Sequence, residues 1–491
     1  MIRIFKKKYS TIIIALLLFS GAILRFIPYF HSRPLWHDEA SLASSIINRG
    51  LLGYFSPLEY MQKAPPLFML ITKTLTLFLG ESEIILRLLP FISSIGALFL
   101  FYLLSQKVLG NKYSIIIANF LFAFNYNLIY YAQEFKQYST DVLCLISAFI
   151  LYEKLDFKNI SYTKILKYSL ISILLILLSH PMIIAISAII LLNLLKYKKE
   201  NIKQQLCFML PIIFIGILYF LIILIPTRNA ELGVFNEYWD SGFITLNVTS
   251  TFELVKDNFS YYFQPNNFSP YVIILFAAGT FLFIKENKKN QQLMFLIILL
   301  SVLASLLYLF PIKGRVSLYL LPIIILLISK PFDLIEKGKR FVIIILLLLV
   351  ALFIKSFNQY NFYYLREFMN PDIFKIQDSR AAMQLISENF KPSDCLVYND
   401  ASKSDFAYYS KYFNFNPTKK ILMISNEYDK NKYFKLLDKL PKNQDYWFYY
   451  PFDYQSKPVR FFLREWAQKQ NIKTKNQEFN YKRTYVLYIK R

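Results

Sequence analysis

Long apolar runs separated by short polar connections organise most of the chain. Runs such as Ile12–Phe19 and Val342–Phe353 carry no charge, and a stretch of about 18 or more apolar residues reads as a bilayer-spanning helix. Such segments fall near 9–30, 84–106, 114–131, 138–154, 164–179, 181–196, 205–226, 270–285, 292–310, 316–329 and 341–358. Pro66–Leu79 is also apolar, but as a helix its 14 residues reach only about 21 Å. It reads as a helix lying at, or dipping into, the outer surface. The pattern therefore predicts a mainly α membrane protein with about eleven transmembrane helices. From about Asn358 onward the chain turns polar and rich in Tyr and Lys. Helical periodicity appears around Ser379–Asn389, and strand-like runs appear at Cys395–Tyr398, Ile421–Ile424, Tyr446–Tyr450 and Thr484–Ile489. Two domains are expected: residues 1–358 in the membrane and residues 359–491 as a small C-terminal α/β domain. There is no internal repeat and no glycine-rich phosphate loop.

Composition agrees with this class. Of 491 residues, 55% are hydrophobic, which is too apolar for a soluble globular protein. The net charge of +24 would suggest nucleic acid in a soluble chain. Here Lys and Arg retained on the cytoplasmic side of spanning helices account for it, and no nucleic-acid partner is expected. With the N-terminus inside, inner connections carry dense basic groups such as Lys196, Lys198, Lys199 and Lys203, or Lys330, Lys337, Lys339 and Arg340. Outer connections hold only scattered cations such as Arg33, Arg49 and Lys63. The basic Met1–Tyr9 resembles a signal peptide. However, the apolar run continues to about Pro28 without a convincing cleavage site, so it reads as an uncleaved first helix. Cys144, Cys207 and Cys395 form neither a disulfide framework nor a metal motif.

The informative charges lie at the outer ends of these helices. The first outer loop holds Leu35-Trp36-His37-Asp38-Glu39-Ala40, followed by the helix-like run Ala40–Asn48. The plain reading of Asp38 and Glu39 is an acidic first turn favoured by the helix dipole. The loop ends in Gln62-Lys63-Ala64-Pro65-Pro66, where Pro starts a helix and Lys63 snorkels to the headgroups. The next outer connection reads Gln133-Glu134-Phe135-Lys136-Gln137-Tyr138. Glu134 and Lys136 form a headgroup-level ion pair or a functional one, since ionisable residues this near the bilayer are costly. Arg315 opens a later span and can grip a phosphate or a lipid headgroup. His180-Pro181 marks another outer corner, with His180 read as a helix-junction residue. The long loop Thr227–Ser269 carries Phe235, Tyr238, Trp239, Tyr261, Tyr262 and Phe263, with membrane-interface aromatics as the default reading.

Taken together, Leu35–Ala40, Lys63-Ala64-Pro65-Pro66-Leu67, Gln133–Tyr138 and Arg315 before Tyr319 and Pro322 resemble the GT-C membrane glycosyltransferases. The likeness is to the glycosyltransferase family 39 type, related to protein O-mannosyltransferases and to the aminoarabinose transferase of lipid A. It covers most of the chain. Phe135-Lys136-Gln137 stands where relatives often have Ala-Arg-Pro, so the charge is kept. The resemblance implies a GT-C fold in the inner membrane, with the active site and C-terminal domain on its outer face. The implied donor is a sugar on a polyprenyl phosphate, and the implied acceptor a glycolipid, glycan or protein of the cell envelope. Asp38 matches the family's catalytic Asp and becomes the expected base. Burial at the membrane surface is expected to raise its pKa into a useful range. Glu39 would orient the loop or start its helix, and Glu134 would bind a divalent ion or the acceptor. Lys63 and Arg315 would hold the donor phosphate, with Lys136 a further candidate. Asp38 and Glu134, with His37 nearby, would suit Mg²⁺ or Mn²⁺ better than a closed zinc site. A lipid-linked sugar flippase or polysaccharide exporter is the rival class. It would place charges near mid-span and often show repeats.

Overall fold

The computed structural model describes residues 2–158, 160–196, 201–226, 239–263, 270–337, 377–423, 430–441, 443–451, 457–470, 474–475 and 484–490. The predicted span 341–358 and the predicted domain boundary near 358 lie outside the described residues.

Every other predicted span is helical. The membrane part runs α1 (Ile2–Phe30), α2 (His37–Asn48), α3 (Pro66–Leu79), α4 (Leu88–Val108), α5 (Lys112–Ala123), α6 (Tyr126–Tyr130), α7 (Tyr138–Lys154), α8 (Tyr162–Leu178), α9 (Met182–Lys196), α10 (Ile202–Tyr219), α11 (Val248–Phe263), α12 (Pro270–Glu286), α13 (Lys289–Leu306) and α14 (Leu321–Ser329). Among the described residues, five helical stretches are long and apolar enough to cross a membrane alone, six if a bent pair counts as one. The helices α7, α8, α9 and α12 have 15 to 17 residues, roughly 22–26 Å, so their ends must be completed by loops. α3 stays short, as its sequence predicts, and begins with Pro66 at its first turn.

The predicted span 114–131 is broken. α5 and the stretch Tyr126–Gln133 meet at 50°. A broken helix in an apolar medium exposes carbonyls that need donors. Arg25, buried inside α1, supplies them: Nη1 donates to the Ala123 carbonyl at 2.9 Å and Nε to Ser94 Oγ at 2.9 Å. Asn125 caps the second piece by accepting from the Leu128 N–H at 3.2 Å. Close packing supports the bundle elsewhere. α12 lies so near α14 that a Cβ at Gly279 would overlap the Leu327 carbonyl oxygen.

The C-terminal unit is α/β, as expected. β1 (Cys395–Asn399), β2 (Lys420–Met423), β3 (Tyr446–Tyr450), β4 (Thr474–Lys475) and β5 (Tyr485–Ile489) form one sheet in the order β2-β1-β3-β5-β4. β1 pairs in parallel with β2 and β3, and β5 is antiparallel to β3 and β4. Parallel neighbours need crossovers, provided by α16 (Lys403–Tyr412) and α17 (Lys430–Asp438), while α15 (Ser379–Asn389) precedes β1 and α18 (Lys457–Lys469) follows β3. One face of this sheet shares a core with α2: Leu35, Ala40, Leu42, Ala43 and Ile46 pack into the cluster holding Met383, Leu396, Tyr409, Trp447 and Val486. Tyr409 ties the two parts further, accepting from the Leu35 N–H at 2.7 Å and donating to Glu83 at 2.6 Å. The α/β unit therefore fixes the helix that carries Asp38.

Candidate active site

Two adjacent carboxylates at the start of α2 have opposite surroundings. Glu39 is 0% exposed. Arg87 Nε and Nη2 each donate to one of its oxygens at 2.8 Å. Arg33 adds an ion pair at 3.1 Å, and the Phe135 N–H donates at 2.7 Å. Glu39 also accepts from the Trp36 N–H at 3.3 Å, closing the first turn of α2 on itself. Burial pushes this carboxyl upward, but Arg33 and Arg87 outweigh it and hold the group below the usual carboxylate range. Glu39 thus joins the first loop, the entry to α4 and the Glu134–Lys136 turn. With its oxygens taken in this way, it has none left for a substrate.

Asp38, one residue earlier, keeps 21% of its side chain exposed and accepts from Arg315 Nη2 at 2.7 Å. The Arg315 guanidinium lies over the rings of Trp36 and Tyr138, at 5.4 and 5.9 Å. Its position depends on the turn before it. Gly314 has φ +52, a left-handed conformation that favours glycine, and its N–H donates to Asn258 of α11 at 2.8 Å. The expected rise in the pKa of Asp38 is not found. Burial raises it, but the cations Lys136 and Arg315 prevail and hold the carboxyl below its ordinary value. Lys136 is itself buried, which lowers its pKa despite the charge of Asp38. Its ammonium donates to Gln62 Oε1.

Glu134 is 1% exposed and lies 3.8 Å from Arg33, with Oε1 reaching no hydrogen-bond partner. Burial first, and the neighbouring charge of Glu39 second, push its pKa up to about 7, against the pull of Arg33, Arg315 and Lys136. Asp38, Glu134, Lys136 and Arg315 are therefore within electrostatic reach of one another. Lys63 adjoins them through its strand of chain: Gln137 Nε2 donates to the Lys63 carbonyl at 3.3 Å. The Lys63 charge is felt at His180. His37 turns away from this cluster, to Asp405 of the α/β unit at 3.4 Å. Burial lowers its pKa, yet Asp405 raises it more, leaving it above the usual value. The predicted loop 227–269 instead contains the helix α11, and its last turn reaches the site: Tyr261 shares a 2.6 Å hydrogen bond with Tyr131. Phe235 and Tyr238 lie outside the described residues.

The donor set does not fit the expected Mg²⁺ or Mn²⁺. Asp38 is engaged by Arg315, Glu134 faces Arg33, and His37 faces Asp405. No group of three or more His, Cys, Asp or Glu side chains gathers among the described residues. The two carboxylates, Asp38 and Glu134, sit among three cations, Arg33, Lys136 and Arg315. Sequence reading missed Arg87 and gave Arg33 only a place in the charge count. The signal was present in Arg87, an ionisable residue inside a predicted span.

No family model matches this chain, and no curated protein matches it in sequence. In fold it is similar to a crystal structure of ArnT from Cupriavidus metallidurans bound to undecaprenyl phosphate, with 12% identity and a TM-score of 0.56 over 98% of each chain. The apo structure of that protein aligns with a TM-score of 0.52 and 12% identity, over 99% of this chain and 98% of that one. The apo Archaeoglobus fulgidus oligosaccharyltransferase covers 96% of this chain and 69% of its own, at 11% identity and a TM-score of 0.49. The alignment with ArnT takes in membrane helices and C-terminal unit alike, and shows a shared multi-pass GT-C fold.

Proposed function

We propose that this chain, built on the GT-C fold, transfers a sugar from a polyprenyl-phosphate donor to a cell-envelope acceptor at the outer face of the cytoplasmic membrane. The observation that carries the proposal is the Asp38–Arg315 pair at 2.7 Å, about one-fifth exposed at the surface and flanked by Lys136. A carboxylate held by cations that also suit a phosphate is arranged for exchange: an arriving phosphate competes for Arg315 and Lys136. Undecaprenyl phosphate in the similar ArnT structure supports the lipid carrier as that phosphate's source.

In this reading the donor phosphate engages Arg315, Lys136 and, from the neighbouring loop, Lys63. Their charges no longer lower the pKa of Asp38, and burial then raises it. Asp38 becomes basic at the moment the donor is in place. The acceptor hydroxyl oxygen attacks the anomeric carbon, and its proton passes to Asp38. The bond from that carbon to the phosphate oxygen breaks, and polyprenyl phosphate leaves with the electron pair. A single in-line displacement inverts the anomeric centre. Glu134 has the elevated pKa and the unpartnered oxygen suited to holding an acceptor hydroxyl. The acceptor is a glycolipid, glycan or protein. The divalent ion read from the sequence has no part in these steps.

The purified chain in lipid nanodiscs, given undecaprenyl phosphate bearing radiolabelled hexoses or pentoses together with envelope extract, tests this. Label should pass to an acceptor with release of undecaprenyl phosphate. If instead the labelled lipid crosses the bilayer of proteoliposomes intact, the chain is a flippase and the proposal fails.

A further inference from the structure

Beside Lys63, one helical turn further along α7, lies a second polar group with no place in the steps above. Gln137 caps α7, and its carbonyl accepts from the Asp141 N–H at 2.8 Å. The two side chains are therefore on one face of the helix, with Asp141 about 6 Å deeper. Asp141 is 4% exposed. Across from it is the corner between α8 and α9, formed by Ser179 and His180. Tyr219, at the end of α10, shares a 2.6 Å hydrogen bond with His180 Nδ1. The charge of Asp141 is felt at the Tyr219 and Tyr319 hydroxyls.

These groups are incompletely satisfied. Ser179 lies close enough to Asp141 to interact with it, yet Asp141 Oδ1, Gln137 Oε1, Ser179 Oγ and His180 Nε2 are all buried and reach no partner at ordinary hydrogen-bond distance. Buried polar atoms are ordinarily paired, so each open valence calls for one. Their types differ. Gln137 Oε1 accepts, the Asp141 carboxyl accepts and also donates when protonated, Ser179 Oγ does both, and His180 Nε2 donates when Tyr219 donates to Nδ1. A phosphate, which only accepts at its ionised oxygens, would leave Gln137 Oε1 unpaired. A hydrocarbon chain would leave every group unpaired. Vicinal hydroxyls, each both donor and acceptor, match the set.

We infer that Gln137, Asp141, Ser179 and His180 form a subsite for the hydroxyl groups of a sugar ring, next to the phosphate grip of Lys63. The inference rests on the phosphate role proposed for Lys63. It makes these four residues selectors of the sugar, binding and orienting it without touching the bond that breaks. The sugar belongs to the donor or to the acceptor.

The test uses the full chain in nanodiscs and three probes: bare undecaprenyl phosphate, undecaprenyl phosphate bearing a hexose or a pentose, and methyl glycosides of the same sugars. Binding is read by titration and by the thermal midpoint. Wild type should prefer the best sugar-bearing lipid over the bare lipid by about tenfold, the equivalent of one to three net hydrogen bonds. Asp141→Asn should bring that ratio close to one while bare-lipid binding stays within twofold. If the ratio survives but Asp141→Asn abolishes protection of the lipid-loaded protein by methyl glycosides, the sugar is the acceptor's. Should Asp141→Asn fail to fold, Ser179→Ala carries the same reading with a loss of about threefold. Unchanged ratio and unchanged glycoside protection in the variants, or neither effect in wild type, would overturn the inference and leave ordered water as the occupant. Lys63→Ala judges the phosphate role separately, through bare-lipid binding alone.

Discussion

Asp38 and Glu39 are chain neighbours with the same chemistry, yet they belong to two different regions. Around Glu39 everything is closed: two arginines and two backbone N–H groups use its oxygens, and it is fully buried. Around Asp38 the site is open: one arginine, one nearby lysine, and a fifth of the side chain at the surface. The first arrangement can hold a loop in place and has nothing left to offer a ligand. The second is weakly committed and can be rearranged by an anion. A rigid carboxylate beside an exchangeable one places a reactive group on a firm mount.

The comparison breaks most readily at Arg87. Arg87→Met leaves Glu39 buried with two of its five polar contacts gone, and a buried pair broken on one side costs about 3–5 kcal/mol. A large fall in the thermal midpoint is expected, and Glu39→Gln added to Arg87→Met should recover part of it. A midpoint unchanged in the single variant would show that the closed region is not a support. Arg315→Lys should act on the open region alone. It keeps the charge but loses the guanidinium fork and the stacking on Trp36 and Tyr138, so transfer should drop about 10- to 100-fold with little change in midpoint. The smallest effect concerns Glu134, whose pKa is raised to about 7 from the ordinary 4.5. The folded state then holds a proton that the unfolded chain releases. This stabilising contribution is full below pH 4.5 and is lost as pH rises through about 7. Glu134→Gln should flatten the fall in thermal midpoint across that interval, and an unaltered slope would remove Glu134 as its source.

Much of the molecule was legible in the sequence because apolar run length is a strong signal. The helices from Ile2–Phe30 to Leu321–Ser329, apart from Val248–Phe263 in what read as a loop, and four of the five strands lie where hydropathy and periodicity put them. Thr474–Lys475 was too short to show a pattern. The break after Ala123 was not legible, because the donor that makes it tolerable, Arg25, lies far away in the chain. At the site, residue types and loop order pointed to Asp38, Glu134, Lys136 and Arg315 as neighbours. Their electrostatic balance did not follow. Whether Asp38 is raised or lowered depends on where Lys136 and Arg315 end up, and only the assembled loops decide that. Glu39 and Asp38 were indistinguishable for the same reason: the partner that separates them, Arg87, was concealed in an apolar stretch.

The central claim is that the donor phosphate and Asp38 compete for Arg315, and that Asp38 then takes the acceptor's proton. Asp38→Asn measured for both lipid binding and transfer tests it most directly. Undecaprenyl phosphate should bind as well as or better than to wild type, by up to about threefold for the loss of a partly exposed ion pair. Transfer from the sugar-bearing lipid should fall by about 10²- to 10⁴-fold. Retained transfer, or binding and transfer lost together, would contradict the account.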